Sequence, residues 1–136
     1  MSANKSIAQN VKPKYGAAGS AVGTVNGVAV DTAGYQEACV VLSVGAVAST
    51  GSLNVKVQDS ADGSTGWADV AGAAFTAVPD TGDNQVQIGF IKLDGNLAKR
   101  YLRVVGVVAT AAADYGACVL LVNGQYNPQQ TPVFTV

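Results

Sequence analysis

The stretch Gly51–Val70, GSLNVKVQDSADGSTGWADV, decides the fold. Leu53, Val55 and Val57 alternate with polar residues, and a period of two with β-branched side chains predicts a half-buried strand. The letters that follow, DSADGS, are residues that bond their own backbone or accept a positive φ, so the strand ends there in a turn. Trp67, the only tryptophan of the chain, comes next. The stretch therefore predicts a long hairpin with Trp67 folded back over its apolar face.

Strand patterns recur along the rest of the chain, with turn signals between them. The run 35–47 is apolar on both faces in its middle, which predicts a central strand covered on both sides. In the run 85–93, Val86, Ile88 and Phe90 share one face, and the change of parity at Phe90-Ile91 predicts a bulge. Further strands are predicted at 22–30, 71–78, 100–108 and 115–123. The spacing of roughly ten residues predicts an all-β chain, an antiparallel β-sandwich (jelly-roll or Ig-like) of about seven or eight strands, with a closed barrel as the alternative.

Composition divides the chain into three parts. Residues 1–20 are predicted to be a flexible N-terminal arm, since Pro13 opposes both a helix and a central strand. Residues 21–124 form the sandwich. Residues 125–136 form an extended C-terminal tail, because two prolines in so short a segment favour an extended backbone.

Three lysines, Lys5, Lys12 and Lys14, are spread through the N-terminal arm. One interpretation is a disordered terminus. The other is an arm that becomes ordered only against a neighbouring subunit, where the lysines would suit an acidic receiving surface.

The charge content of the chain limits its partners. Charged residues make up 12% of the chain and hydrophobic residues 49%, while the net charge is −1 and the pI about 5.0. These values argue against nucleic acid or an anionic membrane as partner. A transmembrane span or the apolar core of a signal peptide is not expected either, because the sequence offers no apolar run of the length or position that these require. We therefore expect a chain made in a cytoplasm, with part of its apolar surface buried in subunit contacts.

Cys39 and Cys118 both lie in apolar, strand-like runs. We interpret them as two buried small hydrophobes. A disulfide remains the alternative if their strands are neighbours, although a cytoplasmic origin disfavours it. A metal site is not expected, since histidine and CxxC spacing are both absent from the sequence.

Catalytic signatures are missing from the sequence. Asp59, Asp62 and Asp69 form the only acidic cluster, and we interpret it as turn-forming rather than as a cation site, because its spacing fails the EF-hand pattern. There is no phosphate-binding glycine motif, and Ser60 has neither a GxSxG setting nor a histidine partner. The prediction is a protein that is not an enzyme and that needs no cofactor.

The segment KRYLRV and the single tryptophan supply candidate interface residues. Arg and aromatic side chains are enriched at interface hot spots, so Arg100, Tyr101 and Arg103 are candidates for a contact between subunits. The alternative is that they are strand residues paired with local carboxylates. Trp67 is either a cover for the hairpin or part of a sugar-binding face.

These segments together resemble small structural proteins of tailed bacteriophages. The resemblance covers roughly 30–123 and rests on VDTAGYQEACVVLSVG, the hairpin letters VQDSADGSTGWADV, FIKLDG, KRYLRVV and YGACVLL. It implies a head decoration (cement) protein, which binds the outside of the mature shell, often as a homotrimer, and stabilises it. The major capsid protein would be its partner and the capsid surface of the virion its location, after synthesis in the bacterial host cytoplasm. The alternatives are another virion part (tail, neck, or a head-fibre or adhesin domain) and a carbohydrate-binding β-sandwich module.

Overall fold

The computed structural model describes residues 11–93 and 98–122 of the chain, and in those ranges it consists of strands joined by turns. Lys5 and the tail predicted at 125–136 lie outside the described residues. The strands are β1 (Val11–Gly19), β2 (Gly23–Asn26), β3 (Val30–Asp31), β4 (Glu37–Val47), β5 (Ser52–Ser60), β6 (Ala68–Ala74), β7 (Gln85–Lys92), β8 (Tyr101–Ala109) and β9 (Ala113–Val122).

Two antiparallel sheets make up a sandwich. The first sheet has four strands in the order β1-β9-β4-β7, and the second has the order β2-β8-β5-β6, with β3 paired to β8 as its fifth strand. Their inner faces meet in one core, whose largest fully buried side chains include Leu42, Leu53, Leu102 and Leu121. A fully buried leucine contributes about 1.5–3 kcal/mol by leaving water. The all-β antiparallel sandwich predicted from the sequence is confirmed, and because the strands divide into two sheets the closed barrel is wrong.

The hairpin that begins at Gly51 forms as the sequence predicts. Leu53, Val55 and Val57 of β5 are at most 3% exposed and face the core. The chain then turns and returns as β6, with Gln58 opposite Asp69. On its other side β5 pairs with β8 along its whole length, so the hairpin supplies two of the five strands of the second sheet.

Strand β4 is central, as predicted, since it pairs with β7 on one side and with β9 on the other. Its inner residues Val40 and Leu42 are at most 1% exposed. On its outer face Cys39 is buried and Val41 half-buried, whereas Ser43 is exposed. The expectation that both faces are fully covered is therefore wrong for the outer face, which no other layer of the described residues covers.

Strand β1 corrects the predicted N-terminal arm. Residues 11–19 pair with β9 from Val11 opposite Val122 to Gly19 opposite Tyr115, so the sandwich includes these residues and does not begin at residue 21. Pro13 is tolerated because β1 is an edge strand, the place in a sheet where proline is found. The register shifts beside Gly16, where an added Cβ would lie 2.8 Å from the Ala117 carbonyl oxygen.

Strand β7 contains no bulge at the predicted position. Its register with β4 is continuous from Gln85 opposite Val44 to Lys92 opposite Glu37. Phe90 points outward and is 64% exposed, while Ile91 points to the core and is 9% exposed. The change of parity in the sequence reflects a strand that is apolar on both faces at this point, and no extra residue is inserted.

Candidate functional site

The turn after β5 is held by its own side chains. Ser60 is fully buried, and its Oγ accepts hydrogen bonds from the backbone N–H of Gly63 and of Asp62 and donates to the Thr65 carbonyl. The Asp62 carboxylate accepts from the N–H groups of Ser64 and Thr65 and from the Thr65 hydroxyl. These donors, with the Thr65 backbone N–H first, hold the pKa of Asp62 well below its usual range. The letters SADGST therefore specify a rigid loop.

This loop covers the tyrosine of KRYLRV. Ser60 stands opposite Tyr101 in the β5–β8 register, and an added Cβ on Gly63, whose φ is +78°, would lie 2.9 Å from the Tyr101 ring. The Arg100 guanidinium lies 5.2 Å from the centre of the same ring. Arg100 also donates to both carboxylate oxygens of Asp31, at 2.9 and 2.8 Å. These hydrogen bonds lower the pKa of Asp31 to about 2.

Trp67 and Arg103 form a stack beside Tyr101, on the outer face of the second sheet. The Arg103 guanidinium lies 4.5 Å from the centre of the Trp67 ring, and its Nε and Nη2 donate to Gln58 Oε1 at 2.9 and 2.7 Å. Gln58 in turn donates to Asp69, which also accepts from Lys56. The Gln58 bond first, and then the Lys56 bond, lower the pKa of Asp69. We call this set of five residues the Trp67 stack.

The structure brings together four of the seven residues predicted to form an interface. Trp67, Arg100, Tyr101 and Arg103 lie at one end of the second sheet. Each of the two arginines donates two hydrogen bonds within the chain, Arg100 to Asp31 and Arg103 to Gln58. The prediction that Trp67 covers the apolar face of the hairpin is wrong. Its ring lies on the polar outer face because the guanidinium of Arg103, held by Gln58, offers a flat cation for stacking.

The predicted lysines that the structure describes lie on β1, and the charge of Lys14 is near enough to Asp31 to contribute to the lowering of its pKa. Lys12 and Lys14 stand opposite Leu121 and Val119 in the β1–β9 register, on the side of β1 that faces the second sheet. Lys12 is half-buried and Lys14 is exposed. Lys5 lies outside the described residues.

The three aspartates of the hairpin have separate structural roles. Asp59 is buried, and its carboxylate accepts the backbone N–H of Lys99 at 3.0 Å. Asp62 holds the turn and Asp69 belongs to the Trp67 stack. Within residues 11–93 and 98–122, no three His, Cys, Asp or Glu side chains converge on a position for a metal ion. In the same ranges, no helix has the length and hydropathy to span a bilayer.

The outer face of the first sheet is a second surface of a different kind. Val86, Ile88 and Phe90 are 68%, 59% and 64% exposed, and Tyr15 at the other edge of the sheet is 61% exposed. These four side chains present on the order of 400 Å² to water, which is in the range of the largest apolar patch on a typical monomer. The register joins them through residues of the two central strands. We call the set the outer apolar face, and its members are Tyr15, Cys39, Val41, Val86, Ile88, Phe90, Cys118 and Leu120.

Charge is confined to the ends of this face. Glu37 and Lys92 stand opposite each other at one end, and Asp114 lies at the other. The outward positions between them in the described strands carry no charged residue. An exposed sheet face normally carries polar residues at its outward positions, so this face has the composition of a surface that is covered by a partner.

Both cysteines belong to the outer apolar face. Cys39 is 5% exposed, as predicted for a buried small hydrophobe, whereas Cys118 is only partly buried, and both thiols are free. Their strands are neighbours, but Cys39 stands opposite Leu120 and Cys118 opposite Val41, so the two thiols are diagonal neighbours. Burial raises the pKa of both. The alternative of a disulfide is therefore not realised.

A cleft opens along the free edge of β7. It has a volume of about 240 Å³ and lies between β7 and residues 72–76, with Val40 and Val57 among its lining residues. Gln87 bridges its two walls, because its side-chain amide accepts from the Thr76 N–H at 2.9 Å and donates to the Thr76 carbonyl at 3.0 Å. The glutamines of β7 thus point toward the interior of the sandwich edge, whereas Val86, Ile88 and Phe90 point to water.

This inversion was not predicted. The alternation in the sequence places Val86, Ile88 and Phe90 on one face but does not identify that face as the exposed one. The available signal was Ile91, which is apolar on the opposite face and directly follows Phe90. A strand with apolar residues on both faces has a second surface to bury.

Models of known protein families give no match to the chain, and a search of curated protein sequences gives none.

Proposed function

We propose that this chain is a non-enzymatic structural protein of a virion, a decoration (cement) protein that binds the outside of a mature phage head and stabilises it. Its partners in this proposal are the major capsid protein and further copies of itself, arranged as the trimer that the sequence resemblance implies. The chain would act at the capsid surface after synthesis in the bacterial host cytoplasm, without a cofactor, nucleic acid or membrane.

The outer apolar face is the observation that supports the proposal best. Phe90 and Ile88 at one edge and Tyr15 at the other are each more than half exposed, and the positions between them are uncharged. Apolar patches of this size mark surfaces that bind other proteins. Two of the motifs on which the resemblance rests, QDSADGSTGW and KRYLRV, meet in the structure. They fix a loop there and leave the apolar face on the opposite sheet for binding.

The physical mechanism would be mass action. A protein that binds only the mature shell stabilises it by RT ln(1 + [L]/Kd) per site, about 2.7 kcal/mol when the free protein is at 100 times its Kd. Repetition over the many equivalent sites of a shell multiplies this term. A sandwich with a preformed apolar face suits the task, because little conformational entropy is lost when a rigid surface binds.

The first experiment is a count of copies per particle. Quantitative mass spectrometry of purified virions would compare the chain with the major capsid protein. A ratio near the number of threefold or subunit positions is the expected result. A few copies per particle would assign the chain to a neck, tail or fibre, and its absence from particles would overturn the virion proposal.

The second experiment tests the face itself. Tyr15→Glu places a charge on the outer apolar face, and we expect it to weaken binding to purified mature shells by about 10-fold or more, because a desolvated charge in an apolar contact costs at least 1.4 kcal/mol. Val22→Glu is the matched control, since Val22 is 57% exposed and lies in the turn before β2. Equal binding by both variants would contradict the assignment of the face. Quenching of Trp67 fluorescence by oligosaccharides would instead favour a carbohydrate-binding module.

A further inference from the structure

The free edge of β7 carries an inference about self-association that does not depend on the virion proposal. Strand β7, Gln85–Lys92, ends the strand order of the first sheet. In the described part of the chain, every backbone hydrogen bond near its ends runs to the β4 side, from Asn84 to Gly45 and from Leu93 to Gln36. Among residues 11–93 and 98–122, no strand pairs with its other edge.

Edge strands of soluble proteins are usually protected against pairing with other chains. The common devices are a proline, a bulge, a short strand or a charge in the middle of the strand. Strand β7 has none of them, because its register with β4 is continuous and its one charged residue, Lys92, is the last. Its outward row of Val86, Ile88 and Phe90 has high β propensity. This edge therefore has the features of a strand that pairs.

We infer that two copies of this chain pair through their β7 strands, antiparallel about a two-fold axis at Ile88. Opposite residues of an antiparallel pair share a face, so this register places Ile88 against Ile88 of the second copy and Val86 against Phe90. A register shifted by one residue would place Ile88 opposite an odd-numbered residue of the second copy. The apolar rows of the two copies would then lie on opposite faces of the joined sheet. Centring on Ile88 is the arrangement that pairs all three apolar residues with apolar residues.

The charge of the strand and the area that would be buried are both compatible with a second copy of the chain as the partner of β7. Lys92 would stand opposite Asn84 of the second copy, so no like charges meet along the seam, and the net charge of −1 leaves little repulsion between copies. An eight-residue edge at about 3.4 Å per residue and a sandwich roughly 20 Å thick give about 500 Å² per copy. The total of about 1,000 Å² is at the lower end of specific interfaces, which predicts a reversible dimer.

The product of the pairing is one continuous sheet. Each copy contributes the order β1-β9-β4-β7, so the two first sheets join at the β7 strands and the outer apolar face doubles in width. This two-fold contact is distinct from the trimer that the sequence resemblance implies. It would join chains of neighbouring trimers, and in isolated protein it would produce dimers.

The test is cysteine cross-linking of the full chain in a background in which Cys39 and Cys118 are replaced by alanine. Ile88→Cys should form a disulfide-linked dimer under mild oxidation, because residues opposite each other in an antiparallel pair have Cα atoms about 4.5–5.5 Å apart, within disulfide range. Val86→Cys and Phe90→Cys should each stay monomeric alone and cross-link when the two variants are mixed. Cross-linking of Val86→Cys with itself at the rate of Ile88→Cys, or of none of the variants, would overturn the inference.

Sedimentation analysis supplies a second readout that needs no new disulfide. The wild-type chain should show a concentration-dependent monomer–dimer equilibrium, and Ile88→Lys should weaken it by about 30-fold or more, the loss typical of a central hot spot. Val22→Lys is the control and should leave it unchanged. A chain that is monomeric or only trimeric at all concentrations refutes the pairing. The copy number per particle is measured separately with the wild-type chain, so failure of the pairing and failure of the virion proposal give different results.

Discussion

Removal of one hydroxyl from the core should stabilise this protein. Tyr115 of β9 points between the sheets and is 6% exposed, and its hydroxyl is a buried group with no hydrogen-bond partner among the described residues. The same burial raises the pKa of the phenol. Tyr115→Phe deletes this hydroxyl and keeps the ring, which packs over Gly106.

The magnitude follows from two opposing terms. A buried polar group without a partner costs about 1–3 kcal/mol. The void left by one oxygen atom costs roughly 0.3 kcal/mol, at about 24 cal/mol per Å³ of cavity. We therefore expect Tyr115→Phe to raise the free energy of unfolding by about 1–2 kcal/mol and the Tm by about 3–6 °C.

The assay is urea unfolding followed by Trp67 fluorescence and by circular dichroism, with an unchanged m value as the sign that only stability has moved. Tyr15→Phe is the control, since that phenol is 61% exposed and its loss should change stability by less than about 0.5 kcal/mol. A loss of about 1 kcal/mol or more in Tyr115→Phe would refute the argument. Such a result would mean that an internal water or a shifted backbone group satisfies the hydroxyl.

Three further predictions concern the core, the loop and the surface. Gly106→Ala would place a Cβ 2.2 Å from the Tyr115 hydroxyl oxygen, so urea unfolding should show a loss of about 1–3 kcal/mol, and Tyr115→Leu in the same chain should restore part of it. Ser60→Ala leaves the buried polar groups of the loop without their partner, and the same assay should show a loss of about 1–3 kcal/mol; a loss below about 0.5 kcal/mol would contradict the role of this hydroxyl. The pKa of Asp31 is lowered from 3.8 to about 2 by its hydrogen bond with Arg100, so its stabilising effect is complete above pH 3.8 and is lost as the pH falls through about 2. Thermal melts between pH 5 and pH 2 should therefore be steeper in pH for the wild type than for Asp31→Asn, and equal slopes would contradict the ion pair.

The sequence predicted the fold class because its signals are local. Alternation of Leu53, Val55 and Val57 needs only a period of two, and the turn letters of SADGST supply the hydrogen bonds that end the strand. Strand order depends on contacts between distant residues, and no local pattern encodes it. The pairing of β1 with β9 was missed for this reason, since Pro13 and the small residues around it describe a poor strand until a neighbour supplies the ladder.

The candidate site was predictable only in part. The residues of KRYLRV and Trp67 were selected for their chemistry, and they do come together, because the β5–β8 register sets Gln58 opposite Arg103. Their partners turned out to be internal. The outer apolar face could not be identified from the pattern of β7 alone, since a row of Val86, Ile88 and Phe90 fits a core as well as an exposed face. Which face is exposed depends on the position of the second sheet.

The pairing of Val11 with Val122 determines how the domain would respond to mechanical force. The two ends of the described sandwich lie side by side on adjacent antiparallel strands. Tension applied through both ends would separate β1 from β9 by breaking the hydrogen bonds between the two strands one at a time. Shearing the strands would require all of their bonds to yield together and so a larger force. Tethering of the domain by both ends would therefore open the edge strand β1 first.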